Sequence, residues 1–206
     1  MEFGEKLKAL RTERSWTQEQ LARKLYVTLT PLFEAVSFAG EKGACFFAVA
    51  LILMVLKRTR RVGVCMFAAI CIEALVTNVV LKDLIERLRP FESSALYLDW
   101  WRYAGAVPED GFSFPSGHAT AASAAMVALA FMYRNGKTAL GGLLVMLLMG
   151  AARCYLMAHY PTDVLAAFLV GAISAILAWL LVSRVPKALE ERRLATQRMN
   201  TTRPSS

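Results

Sequence analysis

The chain has only two histidines, His118 and His159, and each stands in a short polar cluster between long apolar runs. Three such clusters follow one another: Lys82-x6-Arg89-Pro90, then Pro115-Ser116-Gly117-His118, then Arg153-x5-His159-Tyr160-Pro161-Thr162-Asp163. On one helix, positions i and i+7 lie two turns apart on the same face, so Lys82 and Arg89 are expected to present two cations in one direction. Pro90 is expected to end that helix. Ser116 suits an N-cap, and Gly117 lets the backbone come close to a ligand. The free N–H groups of a helix start make a ready anion site. Pro161 suits the first turn of a last helix, which puts His159 in the loop at its mouth with Asp163 near enough to orient the ring.

Together these residues fit phosphoryl transfer. Three cations and a row of N–H groups can neutralise a phosphoryl group as its charge spreads. A histidine held by a carboxylate is a nucleophile or base, and a second histidine can protonate the leaving alcohol or phosphate. Two histidines and one aspartate could also hold a metal, but three neighbouring cations would repel it, so no metal is expected. Singly, each cluster has a plainer explanation. Lys82 and Arg89 suit interfacial anchors, Pro-Ser-Gly-His suits a turn, and Asp163 suits a charge at a helix start. Their order and common depth argue for a site.

The elements that position them are apolar. Of 206 residues 56% are hydrophobic and only 19% charged, less charge than a soluble domain carries. Residues 44–56, 62–81 (broken by Glu73), 119–133, 138–152 and 164–183 form long runs without the alternation of barrel strands, so helices are expected. The fold class is all-α: a polytopic transmembrane bundle of five spans, with a sixth segment near 25–40. The four cysteines lie in or beside these runs without metal-ligand spacing and suit small buried hydrophobes. No cleavable signal peptide is expected, since the first 24 residues are polar and charged. The net charge is +8. Residues 57–61, Arg134 and Lys137, and the tail from Arg184 are basic and fall on one side, which the positive-inside rule makes cytoplasmic. The three clusters then share the extracytoplasmic face. Five spans also put residues 1–40 outside, against the six Lys/Arg of residues 1–24.

Three parts are expected: residues 1–28, a membrane domain over 29–185, and a basic tail over 186–206. Residues 4–28 look like the first two helices of a repressor-type helix-turn-helix, with Thr17 and Gln20 as a capping box. The recognition helix is missing, so nucleic-acid binding is disfavoured and an amphipathic helix on the membrane surface is the simpler reading. Segment 91–114 carries Tyr97, Trp100, Trp101 and Tyr103, suited to an interfacial aromatic belt or to a lid that selects a substrate tail.

The three clusters resemble the signature of the type-2 phosphatidic acid phosphatase superfamily: K-x6-R-P, P-S-G-H and S-R-x5-H-x3-D. The match covers roughly residues 30–185 and departs at Ala152, where serine is usual. The resemblance implies an integral membrane hydrolase of lipid phosphates that needs no cofactor. His159 would attack phosphorus to form a phosphohistidine, with Asp163 orienting it and His118 as general acid. Lys82, Arg89, Ser116, Gly117 and Arg153 would bind the phosphoryl oxygens. Undecaprenyl diphosphate, a cell-wall lipid carrier, is the favoured substrate, with phosphatidic acid and phosphatidylglycerol phosphate as alternatives. Acid haloperoxidases use a related motif set, but the five spans argue against them. The rival of another class is a membrane-anchored DNA-binding regulator with an idle bundle. Oligomeric state has no signal in the sequence.

Overall fold

A computed structural model describes residues 3–104 and 109–201, with the side chains of the last helix described to Arg184. Among the described residues there is only helix, turn and coil. The order is α1 (Phe3–Glu13), α2 (Gln18–Ala39), α3 (Ala44–Val55), α4 (Arg60–Leu75), a π-helical segment (Val76–Leu81), α5 (Lys82–Ile85), α6 (Pro90–Ser93), α7 (Ala95–Ala104), α8 (Gly117–Tyr133), α9 (Gly136–Tyr155) and α10 (Pro161–Thr201). Each of the five apolar runs forms a helix. Residues 1–2 and 202–206, at the ends of the expected first and third parts, lie outside the described residues, as do 105–108 within segment 91–114.

The helix starts follow local chemistry. Thr17 and Gln20 cap α2 reciprocally: the Gln20 amide donates to Thr17 Oγ1 at 3.1 Å and the Thr17 amide to Gln20 Oε1 at 2.9 Å, satisfying two otherwise orphaned N–H groups. Asn135 caps α9 by accepting from the Thr138 amide at 2.8 Å. Pro161 opens α10, where its missing N–H costs nothing. The α2 helix runs unbroken from Gln18 past residue 28 to Ala39, so the end of the helix-turn-helix-like segment and the first membrane-domain residues form one rod.

Helix α8 stands at the centre, against α4, α9 and α10. It can do so because the residues it buries are all small: Ala119, Thr120, Ala121, Ala122, Ser123, Ala124, Ala125 and Ala128, and small side chains let backbones approach. The closest approach is to Gly171 of α10, where an added Cβ would lie 2.5 Å from Ser123 Cβ and 2.6 Å from the Thr120 carbonyl oxygen. Gly171→Ala should therefore destabilise the bundle by about 1–3 kcal/mol through overpacking. A clear fall in the thermal inactivation midpoint in detergent is expected, and an unchanged midpoint would contradict this packing.

The periphery is apolar too. Leu165, Leu169, Leu177 and Leu181 of α10, and Leu140, Leu144 and Leu147 of α9, are exposed, a surface suited to lipid. By length and composition three helical stretches can cross a bilayer (Arg60–Ser93, Gly136–Tyr155 and Pro161–Arg184), and a fourth forms if α2 and α3, bent by 46°, count as one. The 17-residue α8 falls short. At 1.5 Å per residue it is roughly 26 Å long, against a hydrocarbon core of about 30 Å, but it is wrapped by its neighbours and begins at a polar cavity.

Candidate active site

Where α5 and α8 begin, α9 ends and the chain turns toward α10, the bundle opens into a cavity of about 780 Å³. Lys82, Arg89, Gly117, His118, Arg153 and His159 all line it. The three clusters therefore meet at one end of the bundle, and the basic segments 57–61 and 134–137 lie at the other. Ser116 is the N-cap of α8 but makes no side-chain capping bond. Its buried Oγ, like Arg153 Nε, has no hydrogen-bond partner among the described residues. Asp163 is fully buried and does not line the cavity.

One expectation needs correcting: Lys82 and Arg89 do not share a helix face. The helix stops at Ile85, with Glu86 in the left-handed region (φ 48°) as C-cap, and Pro90 starts α6 rather than ending α5. Arg89 is the extended N-cap residue before that proline, its amide accepted by Glu92 Oε2 at 2.9 Å. Proline disfavours helical backbone in the residue before it, which turns Arg89 inward. Its guanidinium is fixed by the Gly111 and Asp110 carbonyls, each at 2.9 Å, and by the Ala158 carbonyl at 3.2 Å.

His159 is buried, and its two ring nitrogens are told apart by their partners. Nδ1 lies 2.7 Å from the Ser113 carbonyl oxygen, which only accepts, so Nδ1 carries the proton. Nε2 lies 3.4 Å from Arg89 Nη1, which only donates, so Nε2 carries the lone pair. Two independent contacts select one tautomer, with the basic nitrogen facing the cationic side of the cavity. Burial, with the Arg153 and Arg89 charges adding to it, holds the imidazole neutral to well below its usual 6.5.

Asp163 does not reach the ring directly: its nearest oxygen is 3.9 Å from Nδ1. It accepts instead from Ser113 Oγ at 2.5 Å and from the Tyr160 amide at 3.0 Å, and it pairs with Arg87 at 2.6 Å. Arg87 also donates to Thr162 Oγ1 and lies 4.0 Å over the Tyr160 ring. The carboxylate thus fixes Ser113, whose carbonyl fixes His159.

Glu109 is another residue that the motifs did not mark. Its carboxylate bridges Arg89 Nη1, at 2.9 Å, and Arg153 Nη2. Burial pushes its pKa up, but the two guanidiniums outweigh that and hold it below the usual carboxylate range. Arg153 donates from Nη1 to Ser37 Oγ of α2. Neither Glu109, Ser113, Arg87 nor Ser37 carries a spacing signal, because each meets its partners across 20 residues or more. Among the described residues no three His, Cys, Asp or Glu side chains converge as a metal site.

This chain is 31% identical over 145 residues to an undecaprenyl-diphosphatase of Sulfolobus acidocaldarius, covering 70% of this chain and 66% of that protein. It is 34% identical over 106 residues to phosphatidylglycerophosphatase B of Bacillus subtilis, covering 47% and 46%. The chain thus spans just under two thirds of the first relative and less than half of the second. Among solved structures it is similar to a transmembrane PAP2-type phosphatidylglycerolphosphate phosphatase from Bacillus subtilis, with a TM-score of 0.59 at 22% identity over 87% of this chain and 93% of that one. It is also similar to LpxE from Aquifex aeolicus, with a TM-score of 0.57 at 23% identity over 74% and 86%. Both likenesses concern the fold. The PAP2 superfamily pattern matches residues 59–187, which hold all three polar clusters, and this chain belongs to that superfamily.

Proposed function

We propose that this protein is an integral membrane phosphatase that hydrolyses a lipid phosphate or diphosphate, without a metal, at the extracytoplasmic end of a bundle of five or six spans. Undecaprenyl diphosphate is the favoured substrate, with phosphatidic acid and phosphatidylglycerol phosphate as alternatives; each of the two curated relatives bears the name of one of these activities. The observation that carries the reading is the meeting of both histidines and three cations in one cavity, with His159 Nε2 turned toward Arg89.

In this reading the phosphoryl oxygens lie among Lys82, Arg89 and Arg153, and the unpartnered Ser116 Oγ and Arg153 Nε supply two further donors beside the backbone at Gly117. Nε2 of His159 attacks phosphorus, the bond to the leaving oxygen breaks, and His118 gives that oxygen a proton. Ser113 accepts from Nδ1–H as the ring gains positive charge, and Asp163 supports Ser113. Water then attacks the phosphohistidine, His118 takes its proton, the P–N bond breaks, and orthophosphate leaves with His159 neutral again. The basic segments at the far end, including the tail, face the cytoplasm.

Glu109 competes with substrate in this scheme, since it occupies two of the three cations. Glu109→Gln removes that competing charge, so inorganic phosphate should inhibit roughly tenfold more tightly, about 1.4 kcal/mol. An unchanged inhibition constant would remove Glu109 from the phosphate pocket.

The test of the reading is phosphate release by the detergent-solubilised chain from undecaprenyl diphosphate and phosphatidic acid in excess chelator. Activity that survives the chelator supports it, and the better substrate narrows the pathway. Hydrolysis of neither lipid, nor of phosphatidylglycerol phosphate, would overturn it.

A further inference from the structure

The PAP2 match begins at residue 59, yet a helix that ends at Ala39 reaches the cavity. Glu34, Ser37 and Phe38 of α2 line it, and Ser37, itself buried, accepts from Arg153 Nη1. The α2 helix is tied to the end of α9 at two further places. Tyr26 and Tyr155 exchange hydrogen bonds, each hydroxyl donating to the other's carbonyl, and their rings stack at 4.3 Å. Phe33 stacks on the other side of Tyr155, also at 4.3 Å. At Gly40, just past α2, an added Cβ would meet the Met149 side chain at 2.4 Å and His118 Cδ2 at 3.3 Å. From residue 26 to residue 40, then, the chain follows the end of α9 from Tyr155 back past Arg153 to Met149. Arg23 extends the clamp outward, bonding Asp99 at 2.8 Å with its guanidinium over Trp100 and Tyr103 of α7.

An arginine side chain has many rotamers, and a phosphate ligand gains most from a guanidinium whose direction is already set. Arg153 Nη2 goes to Glu109, which the scheme above has displaced by substrate, and Nε has no partner among the described residues. Ser37 is then the side chain that still holds the fork when Glu109 has left. We propose that Ser37 is a positioning residue that aims Arg153 at the phosphoryl group, and that α2 is thereby a working part of the active site, although it lies upstream of the segment that carries the motifs. This rests on the lipid-phosphatase reading.

The test compares the parent, Ser37→Ala, Ser37→Thr, Arg153→Lys and the Ser37→Ala/Arg153→Lys double variant, each as the full chain in detergent. Phosphate release from undecaprenyl diphosphate and the dissociation constant of orthophosphate are both measured. Ser37→Ala should lower kcat/KM roughly ten- to a hundredfold and weaken orthophosphate binding severalfold. Ser37→Thr, which keeps the hydroxyl, should stay within about threefold of the parent. In the Arg153→Lys background the alanine change should cost less than about twofold, because the fork it aims is gone. Equal losses in both backgrounds, a threonine variant as poor as the alanine one, or an alanine variant as active as the parent would each overturn the proposal. If Ser37→Ala does not accumulate in the membrane, Ser37→Cys takes its place with the same outcomes. A parent that hydrolyses no lipid defeats the function reading, and the orthophosphate comparison still decides the role of Ser37.

Discussion

His159→Ala should reduce phosphate release by roughly four orders of magnitude or more, as removal of a covalent nucleophile does, and should leave no phosphoryl group on the protein. The parent, quenched during turnover with phosphorus-labelled lipid, should carry an acid-labile, base-stable label that the variant lacks. The proton on Nδ1 is committed to the Ser113 carbonyl, so Nε2 is basic at the cavity wall. It reacts only when neutral. Because burial and the two guanidiniums depress its pKa well below 6.5, kcat/KM should hold as the pH falls through 6.5 and decline only at lower pH, when the ring takes up a proton. Removing one cation, as in Arg153→Gln, should move that acid limb toward higher pH. A variant with a tenth of the parent's activity would rule out His159 as the nucleophile.

His118→Ala should cost about 10²–10⁴-fold with a lipid substrate, the range for loss of a general acid. The informative part is its dependence on the leaving group. His118 lines the cavity at the start of α8, and the proposed mechanism has it protonate the departing oxygen. A p-nitrophenolate leaves without a proton, so with p-nitrophenyl phosphate the same variant should lose about tenfold or less in forming the phosphohistidine. An equal loss with both substrates would mean that His118 binds rather than protonates.

Much of the architecture was legible in the sequence because it rests on short-range signals. Long uncharged runs read as helices because a chain in lipid must satisfy its backbone internally. Thr17 with Gln20, and Pro161, read as helix starts because capping and the missing proline N–H act within one turn. The grouping of Lys82, Arg89, His118, Arg153 and His159 was legible because each stands in a patterned cluster. What misled was regularity carried too far. The i, i+7 spacing put Lys82 and Arg89 on one face, but Glu86 adopts a left-handed conformation that no residue type there announces, and the pair reaches the cavity from different segments. The single-residue contacts were illegible for another reason. Glu109 meets Arg153 across 44 positions and Ser37 meets it across 116, and no spacing rule links such partners. Asp163 was marked by its motif, but the serine between it and the histidine was not.

The histidine's orienting acceptor is a peptide carbonyl. The Ser113 side chain can be changed without deleting the oxygen that holds Nδ1–H, because every amino acid brings the same oxygen. A substitution there would act on the His159 tautomer only by moving the main chain, which the Ser113 Oγ bond to Asp163 holds in place. The Ser113 amide is in turn held by the Arg87 carbonyl at 2.7 Å, again backbone to backbone. Changes that lengthen or shorten the segment on either side should therefore disturb the His159 ring directly, because the position of the loop, more than the type of residue 113, sets where that oxygen lies.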